Sequence, residues 1–261
     1  NFFKKKNIKV VTSIHNKYKQ GLFIKNWYNS FLQKGDAVIF NSYFVKNTYL
    51  HNYSNRSKYY VIPRGIDIDY FKSSNITSQA SLNKILLPAR ISNWKGHEIL
   101  LKYFSKKEFN LKDKFKLVLI SSHHSNYEKK IDQLVKSLNL TKFVLFKKPT
   151  LDIKKLYEAS FIVINCSTRP EGFGRTISEA LSMSKPVLAP NMGGTKEQLS
   201  KFDKKLLFEV NSYNSFINSF KYAIDNYASI QKKSRNFVTR NYSSKIMCQK
   251  TLEIYLKNIN S

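Results

Sequence analysis

Two carboxylates, Glu171 and Glu179, stand on either side of a glycine-punctuated turn in this 261-residue chain. The apolar run at 161–166 reads as a buried strand that stops at Ser167. Glu171, Gly172, Phe173 and Gly174 then deliver the chain into a helix whose first turn is Gly174, Arg175, Thr176 and Ile177. A helix start leaves backbone N–H groups without helical partners, and these suit a phosphate. Carboxylates accept hydrogen bonds from sugar hydroxyls. A phosphate site with a carboxylate on each side is the chemistry of a nucleotide-sugar pocket.

Other residues could serve the same chemistry. Arg90 and Lys95 follow an apolar strand at 85–88, and the ends of such strands are where open α/β sheets bind ligands. Two cations there would meet a diphosphate, arginine as a planar fork and lysine as a point charge. Gly193 and Gly194 follow a strand at 187–190, and they permit close backbone approach to a ligand, a tight strand-to-helix turn, or both. His97 begins a helix and reads as a capping or solvated residue. His123 and His124 do not make a metal site: adjacent histidines point in different directions, and no third ligand is spaced to join them. No metal and no cofactor is expected. Cys166 and Cys248 do not form a disulfide framework, Cys166 reads as a small core residue, and the compartment is read as reducing and cytosolic.

The elements that must position these residues fall into two blocks. In the first, strands are expected at 8–14, 36–40 and 59–62, with helices at 22–33 and from Ser42, as N-cap, to about 53. A Ser- and Asn-rich stretch at 73–83 reads as a linker after a first unit of residues 1–72. Strands at 85–88, 115–120, 143–146, 161–165, 187–190 and 206–208 then alternate with helices at 97–104, 127–138, 153–158 and 174–183. Further helices run from 213 to 259. Repeated strand–helix units with apolar strands imply a doubly wound parallel sheet, so the fold class is α/β with a Rossmann-like second unit over 84–242. The first block is too short to be a complete unit of that kind. The helix at 243–261 is expected to cross back to it.

Composition limits the partners. The net charge is +28, but the lysines are spread along the whole chain and no nucleic-acid recognition motif is present, so no nucleic-acid partner is expected. Such a surface would instead adsorb to anionic lipid headgroups, each nearby lysine adding about 1 kcal/mol. No run of eighteen apolar residues exists to span a bilayer. The first residue is Asn, and the N-terminal stretch lacks the pattern of a signal peptide, so the chain reads as a fragment or a processed product.

The Glu171–Glu179 spacing, with Gly172, Phe173 and Gly174 inside it, resembles the E-x7-E motif of family-4 retaining glycosyltransferases of the GT-B fold. Arg90 to Gly96 is similar to the family's G-R-x-x-x-x-K-G, and Gly193 to Glu197 to its G-G-x-x-E. Residues 61–71 are similar to its V-I-P-N-G-[IV]-D-x-x-x-F crossing between domains, with Arg64 where that pattern has Asn. There Asp67 is a turn cap or a ligand contact. Residues 36–45 are like the strand and helix before that crossing. His15 resembles the family histidine beside the transferred sugar, on the acceptor side. The resemblance covers nearly the whole chain from about Val10.

The resemblance implies two Rossmann-like domains facing across a cleft, the first N-terminally truncated here. It implies retaining transfer of a sugar from a nucleoside-diphosphate-sugar to a hydroxyl on a glycan or lipid-linked acceptor. Glu171 would hold the sugar hydroxyls and Glu179 the ribose diol. Arg90, Lys95 and the amides of Phe173 to Arg175 would neutralise the diphosphate. The run from Arg169 to Thr176, with Trp94, Lys95 and Gly96, is most like bacterial enzymes of lipopolysaccharide or cell-surface glycan assembly. That implies a cytoplasmic protein in peripheral contact with the inner face of the plasma membrane. Two alternatives stay open: a fragment that binds nucleotide-sugar without transfer, and a basic membrane- or nucleic-acid-binding module.

Overall fold

The structure, a computed structural model, describes residues 8–17, 21, 23–50, 58–73, 82–109, 112–122 and 124–259. The first unit holds a parallel sheet in the order β1 (Val11–Ile14), β2 (Ala37–Phe40), β3 (Lys58–Val61). All four residues of β2 are buried, as expected for the middle strand of a parallel sheet covered on both faces. Helix α1 (Phe23–Phe31) joins β1 to β2 and leaves Phe23, Ile24, Trp27, Tyr28 and Phe31 exposed. Helix α2 (Tyr43–Leu50) starts where the Ser42 hydroxyl accepts the Val45 N–H at 3.0 Å. Its expected extension past Leu50, like most of the expected linker, lies outside the described residues.

The second unit holds a larger parallel sheet built from β4 (Lys84–Arg90), β5 (Lys116–Ile120), β6 (Val144–Lys147), β7 (Ile162–Ile164), β8 (Val187–Pro190) and β9 (Leu207–Phe208). Their spatial order is β6-β5-β4-β7-β8-β9. The chain therefore winds outward from β4, returns to its other side, and winds outward again. The reversal opens a crevice at the carboxyl ends of β4 and β7, where doubly wound sheets bind their ligands. Helices α3 (His97–Phe104), α4 (Asn126–Ser137), α5 (Ile153–Glu158), α6 (Arg175–Ser182) and α7 (Gly193–Phe202) connect the strands, and α8 (Tyr213–Asp225) and α9 (Tyr227–Tyr242) follow. One apolar core runs through this unit, including Leu86, Leu119, Ile164, Ile177, Leu188 and Phe220.

The chain passes between the units at two places that lie side by side. After β3, Ile62 packs with the first unit while Ile66 and Phe71 already belong to the second core. The apolar residues Ile66 and Phe71, after Pro63, are thus drawn into the larger core. The return passes Ser243, and α10 (Ser244–Ile259) lays Ile254 against Ala37, Ile39 and Ile62. The Ile66 N–H donates to the Tyr242 carbonyl at 2.9 Å and the Ser244 N–H to the Ile66 carbonyl at 2.8 Å. Gly65 has no room for a side chain, since a Cβ would lie 2.6 Å from Ser244 Cα.

Candidate active site

The two units enclose a cleft of about 1080 Å³. One wall carries Ser13, His15, Lys17, Tyr28, Asn41 and Arg64, and the other carries Trp94, Lys95 and the 169–176 turn with Glu179. A second cavity of about 250 Å³ sits in the crevice between β4 and β7, lined by Arg90, Lys95, Asn165, Ser167 and Thr176. Lys95 and Thr176 line both, so the phosphate-suited helix start and the crevice form one continuous surface.

Strong local constraints shape the turn. Gly174, with φ 83°, ends it in a left-handed conformation open to glycine, and α6 follows with its amides facing the cleft turn. The Gln198 amide donates to the Gly174 carbonyl at 3.2 Å and also to the Phe173 carbonyl, fixing the turn from beneath. Gly193 and Gly194 do the same. A Cβ on Gly193 would lie 2.8 Å from the Glu171 carbonyl oxygen, and one on Gly194 2.6 Å from Phe173 Cα. Neither glycine lines the cleft. Their close backbone approach is to the 171–173 turn, the tight strand-to-helix packing among the expected alternatives: α7 sits directly against the turn.

Glu171 is anchored through one oxygen. The Lys95 ammonium lies 2.7 Å from Oε1, the Asn165 amide donates to it at 3.2 Å, and the Ser167 hydroxyl donates to it as well. Burial raises the Glu171 pKa, and the Lys95 charge with the Ser167 and Asn165 hydrogen bonds more than reverses this, leaving it below the ordinary carboxylate value. Glu179 is held at both oxygens, by Arg175 at 2.9 Å on Oε1 and by the Tyr157 hydroxyl at 2.9 Å on Oε2. Burial, and then Glu179, push the Tyr157 hydroxyl well above its usual pKa, so it stays a donor. The Trp94 carbonyl accepts the Thr168 N–H at 2.7 Å, which ties the Arg90–Lys95 loop to the Glu171 loop.

On the facing wall the Asn41 amide donates to the His15 carbonyl at 2.8 Å, and that carbonyl abuts Gly172. Burial, and then the Arg64 charge, lower the His15 pKa, so the imidazole is neutral at neutral pH. Glu197, at the end of the Gly193–Glu197 run, reaches across the units. Its carboxylate accepts the Tyr43 N–H at 3.0 Å and the Phe44 N–H, capping the start of α2. Burial raises the Glu197 pKa, and the Phe44 and Tyr43 amides oppose this.

The structure brings Arg90, Lys95, Glu171, Gly172, Phe173, Gly174, Arg175, Thr176, Glu179 and His15 onto these cavities. Sequence reasoning overlooked Asn165, Ser167 and Tyr157, and named Glu197 only as the end of the Gly193–Glu197 motif. The first two were findable as the polar residues ending a buried strand, whereas Tyr157 and Glu197 act on partners far away in the chain. His97 is fully buried rather than capping or solvated, and burial pushes its pKa down to about 4. Cys166 is buried with its thiol pushed up to about 12, which leaves it inert as a nucleophile. Asp67 Oδ1 accepts the Asp69 and Tyr70 N–H groups, the turn-capping alternative. Among the described residues no cluster of three metal-ligating side chains occurs, and no helix is long and apolar enough to cross a membrane.

Comparison with known proteins accords with this geometry. A glycosyltransferase structure from Rickettsia africae superposes with a TM-score of 0.84 at 31% identity, over 98% of this chain and 72% of that one. Anabaena HepE, solved with UDP and glucose, has the same fold, with a TM-score of 0.84 at 22% identity over 97% of this chain and 73% of its own. Among curated proteins, an uncharacterized glycosyltransferase of Methanocaldococcus jannaschii is 24% identical over 87% of this chain, and the trehalose synthase of Thermococcus litoralis 25% identical over 88%. The matches span 60% and 59% of those two proteins, so the chain corresponds to about three fifths of their length. The Glycosyltransferase Family 4 sequence model matches residues 2–70 and the Glycosyl transferases group 1 model residues 71–243. With that second match spanning well over half of its length, the chain belongs to the glycosyl transferases group 1, a family of glycosyltransferase enzymes.

Proposed function

We propose that the chain binds a nucleoside-diphosphate-sugar in the crevice between β4 and β7 and transfers its sugar, with retention, to a hydroxyl acceptor entering from the first-unit wall. One observation carries the reading: Glu171 and Glu179 flank a free helix start while Arg90 and Lys95 stand at the strand ends beside it. The leaving diphosphate oxygen takes the acceptor proton as the acceptor attacks the same face. The protein contributes position and charge, Arg90 and Lys95 neutralising the departing diphosphate with help from the amides of Phe173 to Arg175. Glu171 holds the sugar hydroxyls, Glu179 the ribose diol, and neutral His15 borders the transferred sugar. The chemistry asks for no metal.

The sequence resemblance supports a place in lipopolysaccharide or cell-surface glycan assembly. The basic composition and the exposed aromatic face of α1 support peripheral contact with anionic membrane on its cytoplasmic side. The test is a thermal-shift panel of UDP, GDP, ADP and CMP with their common sugars. One nucleotide raises the melting temperature, and Glu179→Ala removes that shift. Silence toward all of them at millimolar concentration defeats the reading. A transfer assay with the stabilising donor then separates an enzyme from a chain that only binds.

A further inference from the structure

The cleft carries more positive charge than the donor requires, and the excess is on the acceptor wall. Among the charged side chains lining it, Lys17, Arg64, Lys95, Arg169 and Arg175 face Glu171 and Glu179. Both carboxylates are already engaged, Glu171 by Lys95 and Glu179 by Arg175. A nucleoside diphosphate sugar brings two negative charges, which together with Glu171 and Glu179 balance the second-unit cations Arg90, Lys95, Arg169 and Arg175. That leaves the first-unit wall, where His15, Lys17 and Arg64 are the ionisable cleft residues other than Tyr28 and Tyr49, and none is acidic. No salt bridge to Lys17 or Arg64 occurs among the described residues. Arg64 is close enough to His15 to lower its pKa, so its field reaches the point where the acceptor hydroxyl enters.

Unpaired cations that line a concave wall concentrate anions there, and like-charged cations are held together at a cost that a bound anion relieves. We propose that the acceptor taken at this cleft is itself anionic, a glycan or lipid headgroup bearing a phosphate or carboxylate, and that Arg64 and Lys17 select it. The inference rests on the glycosyl-transfer reading and extends it to the acceptor's charge. Arg64 presents a fork suited to two oxygens of one oxyanion, Lys17 adds a point charge, and neutral His15 remains available to the sugar beside them. The second-unit cations stay with the donor.

The experiment measures binding of glucose, glucose 6-phosphate and glucuronic acid by saturation-transfer NMR, with and without the nucleotide that stabilises the protein. Both anionic sugars bind at least about tenfold more tightly than glucose, a difference of about 1.4 kcal/mol, and salt weakens them selectively. A phosphate acceptor favours the phosphate arm and a carboxylate acceptor the glucuronic acid arm. Arg64→Gln and Lys17→Gln each reduce the preference severalfold while nucleotide affinity holds, and Arg64→Lys restores part of it. Equal binding of all three sugars overturns the proposal. So does a loss of nucleotide affinity in Arg64→Gln as large as the loss for the anionic sugar, since that would assign Arg64 to the donor. Failure of every nucleotide to bind defeats the transfer reading instead, and the nucleotide-free arm still reports whether the wall selects anions.

Discussion

Replacing Gly172 by alanine inserts a methyl group between the two units. The atoms nearest to that methyl all belong to the first unit: the His15 carbonyl oxygen, which it overlaps, Val45 Cγ2 at 3.3 Å and Asn41 Nδ2 at 3.4 Å. The overlapped atom is backbone, so no flexible side-chain end can swing aside. Restoring van der Waals separation requires the wall to retreat by roughly 1 Å. The Asn41 amide holds that carbonyl at 2.8 Å, and straining this bond costs about 1 kcal/mol. The donor side keeps its backbone, because the methyl points away from it. Nucleotide affinity in Gly172→Ala therefore stays within about twofold, while transfer falls on the order of a hundredfold, the penalty for moving a reacting group by about 1 Å. Hydrogen exchange supplies a readout independent of catalysis. The Tyr43 and Phe44 amides, held across the cleft by Glu197, exchange faster as the walls part. Undiminished transfer with unchanged exchange at these amides would refute the reasoning, and so would a loss of nucleotide binding matching the loss of transfer.

Tyr157→Phe removes the donor to Glu179 Oε2 without changing the buried ring, so nucleotide binding weakens by a factor of roughly three to ten while the fold persists, as isothermal titration will show. Lys95→Met leaves burial as the leading influence on Glu171 and lifts its pKa. The wild-type protein loses the stability that this carboxylate contributes as pH falls below the ordinary value of 4.5, whereas in the variant the carboxylate contributes less above that pH and the acid-side loss is smaller, visible in melting temperatures across about four pH units around the ordinary carboxylate range. Lys185 donates to the Glu158 carbonyl at 2.9 Å, and burial lowers its pKa to about 8 from 10.5. Between those values the unfolded chain binds the proton and the folded one does not, so stability rises with pH there. Lys185→Met flattens that rise in urea melts across the same window.

The parts of the fold that were legible were those whose apolar pattern is local. Helix His97–Phe104 and strand Val187–Pro190 keep the bounds read from sequence, because their buried residues follow helical and continuous-strand patterns. Helix α7 was read only as a turn. Its inward face is Gly194, Thr195, Gln198 and Leu199, mostly small or polar, since it packs on backbone carbonyls instead of side chains. The site was legible where function demanded unusual residues close in sequence, as at Glu171 to Glu179. Its support was not, because Glu197 meets α2 from 154 and 153 positions away, and such pairings leave no periodic trace. His97 shows the opposite limit: its place at a helix start suggested a cap or solvent, but the packing of α3 encloses it.

The adjacent crossings at Gly65 and Ser243 give the molecule a single axle. Two connections far apart would resist rotation, and one alone would permit rotation about any direction. Two that are hydrogen-bonded to each other leave one easy axis, with Gly65 fitted against Ser243 and Ser244 where no side chain has room. Movement of the cleft walls is then reduced to one angle, and the contacts of Gly172 with His15 and of Glu197 with α2 act as the stop at its closed end. Small local distortions at the axle would be magnified at the mouth of the cleft, which makes Gly65, remote from every reacting atom, a residue through which the approach of the two substrates can be tuned.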